Sequence, residues 1–331
     1  MPDKFRAFNL IGKSPKFQKA LDSIDKCSQC LAPVLIHGET GTGKELTARA
    51  IHYLSPRKGR PFIPINCGSI PENLIENELF GHVKGAYTGA DNVQPGLIAQ
   101  AQGGTLFLDE IASLPLSAQI VLLRFLQDRR YRPLGGNSLH EADIRIIAAS
   151  NVDLRLLKKK GKFREDFYYR LDVLRIFLPP LRERLEDLEL LSQYFLLRYS
   201  LRYNFPEKKL QPQTLCWMQN YHWPGNLREL ENFIHRSVLM CEGDAISPPD
   251  PVFTEMDSGP LYELPTSDNL KNFKEAKAQA LAEFESNYLS RLMTETHGNI
   301  TEAAKRAGDM DRSALRKLLK KNGINRKSFI P

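Results

Sequence analysis

The 331-residue chain has no apolar run near the roughly 18 residues that a membrane-crossing helix needs. Residues 1–9 are polar and lack the apolar stretch of a secretory leader. These two absences predict a cytoplasmic protein with no membrane span. Cysteine is scarce: Cys27, Cys30, Cys67, Cys216 and Cys241 are odd in number and scattered, which argues against a disulfide framework. Cys27 and Cys30 form one CxxC, but no second ligand pair stands at a zinc-site spacing, so the pair reads as incidental in a helical stretch. No internal repeat is visible. Apolar residues reach 42%, enough for a sizeable core, and the length suits two or three domains. The net charge of +7 fits an anionic partner, nucleic acid first, or a merely basic soluble protein.

Residues 1–180 alternate short apolar runs with amphipathic stretches. Candidate strands fall at 34–37, 62–66, 105–108, 144–149 and 174–178. Strands alternating with helices predict a parallel α/β sheet. Over 181–245 the strands stop. Leu188, Leu191, Phe195 and Leu196 recur at helical spacing, as do Leu227, Leu230, Phe233, Ile234 and Val238, which predicts a small helical domain. Asn226 is the expected N-cap of a helix beginning at Leu227. Residues 246–270 carry Pro248, Pro249, Pro251, Pro260 and Pro265 and read as a semi-rigid linker. Residues 271–331 are helical again, and from 276 onward 11 Lys and Arg face 6 Asp and Glu.

Gly38, Glu39, Thr40, Gly41, Thr42, Gly43 and Lys44 follow the first strand and precede a helix, the context a P-loop requires. Glycines let backbone N–H groups turn inward around phosphate oxygens, and the next helix points its positive end at the same anion. Lys44 supplies a point charge for the β- and γ-phosphates of ATP. Glu45 stands where the general motif has Ser or Thr to hold Mg²⁺, so the metal needs other ligands. The strand at 105–108 ends in Asp109 and Glu110, a Walker B arrangement. Asp109 would hold Mg²⁺, directly or through water, and Glu110 would polarise the attacking water.

Glu78, Leu79, Phe80, Gly81 and His82, followed by Gly85, Ala86, Tyr87, Thr88, Gly89 and Ala90, resemble the signature loop of the sigma-54-dependent activators, or bacterial enhancer-binding proteins, which are AAA+ ATPases. Tyr87 replaces the usual Phe. The resemblance runs over nearly the whole chain, and Glu45 is usual in it. It implies an α/β fold: a P-loop AAA+ parallel sheet with a helical lid, plus a C-terminal all-α helix-turn-helix domain. It also implies that residues 85–90 contact sigma-54, with Tyr87 and Thr88 as the touching side chains, and that 129–143, with Gly135 and Gly136, is a second inserted loop. Asn66 matches a switch asparagine that holds Glu110. Asn151 matches sensor I, which reports on the γ-phosphate. Arg164 and Arg170 match arginine fingers that reach a neighbouring subunit's ATP. Arg228 matches sensor II. Fingers acting in trans imply a ring, a hexamer assembled directly or from dimers. The ATPase resemblance begins almost at the first residue, so the chain resembles stand-alone members without a receiver domain, controlled by a regulatory protein in trans, or else a truncated form.

Residues 297–308 predict a short helix, and Asp311 or Ser313 caps a second at 314–322, which reads as a helix-turn-helix. This stretch resembles the Fis-type DNA-binding domain. Arg312 and Arg316 are the base-contact candidates, Lys320 and Lys321 suit phosphate, and Ser313 and Lys317 complete the DNA-binding set. A stripe of Leu281, Phe284, Tyr288, Leu289 and Leu292 is core or a dimer surface. The function expected is an enhancer-binding ATPase that remodels sigma-54 RNA polymerase and opens promoter DNA. The alternatives are an AAA+ DNA-binding regulator, or an ATPase that remodels DNA directly without acting on sigma-54.

Overall fold

The computed structural model describes residues 3–88, 90–248, 285, 288–289, 292–294, 296, 298–308 and 310–324. Gly89, most of the proline-rich stretch, and Leu281 and Phe284 of the apolar stripe lie outside the described residues. The chain divides into two compact units, Met1–Asp250 and Pro251–Pro331.

In the first unit, five parallel strands form the central sheet: β1 (Val34–His37), β2 (Phe62–Asn66), β3 (Thr105–Asp109), β4 (Arg145–Ser150) and β5 (Leu174–Phe177), in the order β2-β3-β4-β1-β5. All five expected strands are present, β1 and β2 with the expected ends and the other three with ends shifted by a residue. Helices cover both faces, so the middle strands carry apolar residues at nearly every position instead of alternating with polar ones. Successive residues still point to opposite sides. Leu35, Leu106, Leu108, Ile146 and Ala148 enter one core with Phe125 and Phe167. Val34, Ile36, Phe107, Ile147 and Ala149 enter the other, with Leu21, Ile24 and Ile51.

The helices Leu188–Tyr203, Pro212–Asn220 and Asn226–Met240 form the lid around Trp223, Phe195, Leu230, Ile234 and Val238. Ile246, expected at the start of the linker, is instead buried in this lid core. It belongs to a short strand, Ala245–Ile246, paired with Lys209–Leu210. Asn226 does not cap its helix from outside, as expected; it is the first helical residue, and Gly225 holds the cap position. The helix start is closed by Gly225 N–H donating to Glu229 Oε2 at 2.8 Å. That leaves the Asn226 carboxamide free for a different task, described below.

In the second unit, the helices Ile300–Arg306 and Arg312–Lys321 pack on Leu289, Leu292 and Met293 through Ile300, Ala303, Ala304, Leu315 and Leu319. Asn299 caps the first, its Oδ1 accepting from Thr301 and Glu302 N–H at 3.0 and 3.3 Å. Asp311, not Ser313, holds the cap position of the second, which therefore starts two residues earlier than expected. The Ser313 hydroxyl donates back to Asp311. Arg312, Ser313, Arg316, Lys317 and Lys320 are all exposed, opposite the buried Leu315 and Leu319. Lys321 pairs with Glu285 at 3.0 Å.

Candidate nucleotide site and surface loop

The loop after β1 carries Gly41 at φ +79° and Gly43 at φ +100°, backbone conformations that glycine adopts without strain. Lys44 opens the Lys44–Tyr53 helix and is only 8% exposed. Its Nζ donates to the Gly38 and Glu39 carbonyls at 2.9 and 3.0 Å. Burial pushes the Lys44 ammonium down, while nearby Asp109 and Glu110 favour its charge. Asp109 ends β3 and Glu110 follows at φ 52°, a left-handed turn that swings its side chain off the strand line. Glu110 N–H donates to Asp109 Oδ1 at 2.9 Å.

Asn66 ends β2 in register with Asp109. Its Oδ1 accepts from Gly68 N–H at 2.8 Å. A Cβ on Gly68 would meet Glu110 Oε2 at 2.4 Å and Asn66 Oδ1 at 3.3 Å, so the glycine admits the Glu110 carboxylate beside Asn66. Asn151, just past β4, donates to Thr40 Oγ1 at 3.4 Å.

The lid docks directly on the phosphate loop. Asn226, 0% exposed, donates from Nδ2 to Thr40 O at 3.0 Å and Glu39 Oε2 at 3.2 Å, and its Oδ1 accepts from Leu181 N–H at 2.8 Å. Leu227 N–H donates to Gly41 O at 3.0 Å. A Cβ on Gly41 would lie 2.2 Å from Gly225 O, so no larger residue fits under the lid. Arg182 clamps Glu39 at 2.6 and 2.7 Å and holds its carboxyl below the usual range.

Between loop and lid lies a cleft of about 390 Å³, lined by Thr40, Gly41, Gly43, Lys44, Glu45, Asp109, Glu110 and Arg228. Glu45 is held by Arg49 at 2.7 Å. Gly38 and Glu39 border a neighbouring cavity. Thr42 is buried, its hydroxyl donating to Glu39 O at 2.8 Å. Sequence reasoning missed Asn9, Tyr194, Arg198 and Glu231 in the cleft wall. Tyr194 donates its hydroxyl proton to Asn9 Oδ1 at 2.7 Å. Asn9 and Tyr194 sit 185 positions apart and carry no motif, so the sequence offers no signal for the pair. Arg164 and Arg170 do not line this cleft. Arg164 is half-buried and pairs with Asp166 at 2.7 Å, and the exposed Arg170 donates to Leu126 O at 2.9 Å.

The 83–90 loop stands apart. Gly85 N–H donates to Ala90 O at 2.8 Å and Ala90 N–H to Tyr87 O at 3.0 Å, closing a tight tip. Tyr87 is 46% exposed, with its ring 5.1 Å from His82. The second inserted segment braces the first: Val83 N–H donates to Leu134 O at 3.1 Å, and a Cβ on Gly135 would lie 2.8 Å from Ala86 Cα.

A phosphate-binding loop, an acidic pair at the end of the parallel strand one removed from it in the sheet and a helical lid docked on the loop define a P-loop ATPase. Residues 10–177 match the family described as the sigma-54 interaction domain, and 182–255 match the AAA+ ATPase lid domain. The chain belongs to the sigma-54-dependent transcription activators. It is 42% identical over 322 residues to the response regulator protein PilR of Pseudomonas aeruginosa, covering 96% of this chain and 70% of that one. It is 42% identical over 311 residues to the transcriptional regulatory protein ZraR of Klebsiella oxytoca, covering 94% and 68%. The structure resembles NtrX from Brucella abortus solved with ATP, with TM-score 0.67 and 32% identity, covering 95% and 69%.

Proposed function

We propose that the cleft between the phosphate loop and the lid hydrolyses ATP, and that turnover drives the Tyr87–Thr88 tip against sigma-54 so that polymerase opens promoter DNA. The observation that carries this reading is the separation of tasks. Lys44, Asp109, Glu110 and Arg228 converge on one cleft, while Tyr87 and Thr88 sit exposed on a loop braced by a second loop. Glu110 acts as the base that polarises the attacking water, with Asn66 beside it as its positioning partner. Lys44 and Arg228 meet the phosphates, and Asn151, beside Thr40, reads the terminal one. Among the described residues no cluster of three or more metal-ligating side chains occurs. That suits Mg²⁺, which is held by one or two carboxylates plus substrate phosphates. Asp109 is the carboxylate placed to hold it, and bound Mg²⁺ would neutralise charge on the transferring group.

Arg164 and Arg170 lie outside the chain's own cleft, which supports their use by a neighbouring copy in a closed ring such as a hexamer. The exposed basic face of Arg312, Ser313, Arg316, Lys317 and Lys320 suits enhancer DNA. Among the described residues no helix is long and apolar enough to cross a membrane. We place the activity in the cytoplasm, with polymerase.

The test is promoter opening by purified protein with sigma-54 polymerase, an enhancer-bearing template and ATP, beside Glu110→Gln and Thr88→Ala. Opening by the unaltered protein alone is expected. ATP turnover without opening, on a promoter that a known activator opens, would remove the sigma-54 step and leave an ATPase with another client.

A further inference from the structure

The Pro15–Ser28 helix ends against the first residue of β4. There Arg145, 1% exposed, donates from Nη2 to the Cys27 carbonyl at 2.6 Å, while its Nε and Nη1 have no hydrogen-bond partner. Capping the helix end uses only one of the five N–H groups of a guanidinium. A buried cation is costly unless its charge and its donors are answered. Nearby Arg57 is already committed, to Asp143 at 2.7 Å and to the Gly104 and Asp143 carbonyls. Burial pushes the Arg145 guanidinium down, and the sulfurs of Cys30 and Cys27, once ionised, favour its charge.

Cys27 lies in the last turn of the helix and Cys30 just beyond it. Cys27 is buried, Cys30 is half-buried, and both are free thiols. Cys30 lies two residues past the helix end, with its Sγ 3.6 Å from Cys27 O. Residues three apart on a helical turn have Cα atoms about 5 Å apart, inside the span a disulfide bridges. Cys30 is outside the regular helix, where its N–H donates to Cys27 O at 3.5 Å. The sequence alone reads this CxxC as incidental; a half-satisfied guanidinium on the same Cys27 carbonyl that Cys30 Sγ approaches changes that reading.

We propose that Cys27 and Cys30 form a thiol-oxidation site that closes to an intramolecular disulfide, with Arg145 as the buried counter-cation for the sulfur anion formed on the way. The oxidant class is a small-molecule disulfide such as oxidised glutathione. The half-buried Cys30 thiolate attacks it, a protein–glutathione S–S bond forms, and one glutathione thiolate leaves. That thiolate takes the proton of Cys27. The Cys27 sulfur then attacks Cys30, the mixed disulfide breaks, and the second glutathione leaves and takes up the proton Cys30 gave to solvent. Two protein thiols are oxidised and one glutathione disulfide is reduced to two thiols. Burial pushes the Cys27 thiol up, which suits it to the second, resolving role. Cys67 has no such partner: burial pushes it to about 12, so it stays an inert thiol.

The test incubates the full chain in glutathione buffers of graded oxidation, quenches with acid, alkylates, and weighs the peptide containing both cysteines. The expected result is an internal disulfide in that peptide, with the exposed Cys216 carrying at most a single glutathione. Cys27→Ser should trap Cys30 as a stable mixed disulfide, and Cys30→Ser should leave Cys27 reduced. Arg145→Met should slow closure roughly tenfold and Arg145→Lys should restore most of the rate. If the Arg145 variants do not fold, the two serine variants decide. Alkylation of both cysteines at every buffer ratio, or no trapped adduct in Cys27→Ser, overturns the site. Equal closure rates in unaltered protein and a folded Arg145→Met overturn the counter-cation.

Discussion

The nucleotide cleft and the 83–90 loop are built on opposite principles. In the cleft, Lys44 and Asn226 are buried and their polar atoms are committed to backbone carbonyls, an N–H and a carboxylate at hydrogen-bonding distance. Two glycines there are fixed by positive φ, and one of them also by the lid pressing against it. In the loop, backbone turns and one neighbouring segment hold the tip, and Tyr87 faces outward. Hydrolysis needs groups held within a fraction of an ångström, which burial and saturation of polar atoms supply. A contact that is to be moved against another protein needs a tip with few ties. Altering the loop should therefore stop force transmission and spare the chemistry, whereas altering the cleft should stop both.

The largest effect is expected at Glu110→Gln. The amide is nearly isosteric but no longer a base, so phosphate release should fall by about 10²- to 10⁴-fold while a fluorescent ATP analogue still binds. Turnover near the unaltered rate would remove Glu110 from catalysis. Next is Thr88→Ala, which should spare ATP hydrolysis and cost the promoter-opening contact about 2 kcal/mol or more, roughly a 30-fold loss. Parallel loss of ATPase and opening would show the two regions to be one coupled unit and break the contrast.

The difference also explains what was legible in sequence. The five strands could be read because each is short and mostly apolar, the three central ones being buried on both faces and the edge strands β2 and β5 only in part. The phosphate loop could be read because its glycines, Lys44 and the acidic pair at the end of β3 are tied to fixed spacings. The 85–90 loop was visible only through family resemblance, since four small residues with one aromatic and one hydroxyl carry no physical signature of a particular partner. The role of Asn226 was misread. Its position before an apolar helical stripe satisfies every local rule for an N-cap, and only the tertiary placement of Thr40, Glu39 and Leu181 around it reveals a buried bridge between lid and phosphate loop. Asn9 and Tyr194 were invisible for the same reason: the cleft wall is assembled from distant segments whose polar atoms meet only after folding.

That bridge yields the third expectation. Asn226→Ala strips the partner from the fully buried Leu181 N–H and from the partly buried Thr40 O. Each buried group left unpaired costs about 1–3 kcal/mol, so thermal unfolding of the ATPase unit should move clearly downward. The apparent affinity for ATP should weaken with it, because the lid no longer closes on the loop. An unchanged melting temperature would mean that lid docking rests on the apolar core alone.

The smallest effect, and the sharpest test of the docking, lies at Glu39. Its hydrogen bond from Arg182 comes first among the causes that hold its carboxyl below the ordinary value of 4.5, and the same bond raises Arg182, so both partners point the same way. A carboxylate whose folded-state value is depressed contributes stability that is fully present above the unfolded value and is lost as pH falls through the folded one. The pair is about two-fifths exposed on each side, so its contribution should stay within about 1 kcal/mol. Glu39→Gln should therefore melt slightly below the unaltered protein at about pH 7, and the gap should close as pH drops below the ordinary carboxylate range. A gap that persists unchanged into acid would show that the amide's altered contact with Asn226, and not the lost charge, sets the difference. The lid would then be latched by hydrogen-bond geometry, as the buried Asn226 is, and the comparison between a saturated cleft and a lightly tied loop would hold without any electrostatic contribution from Arg182.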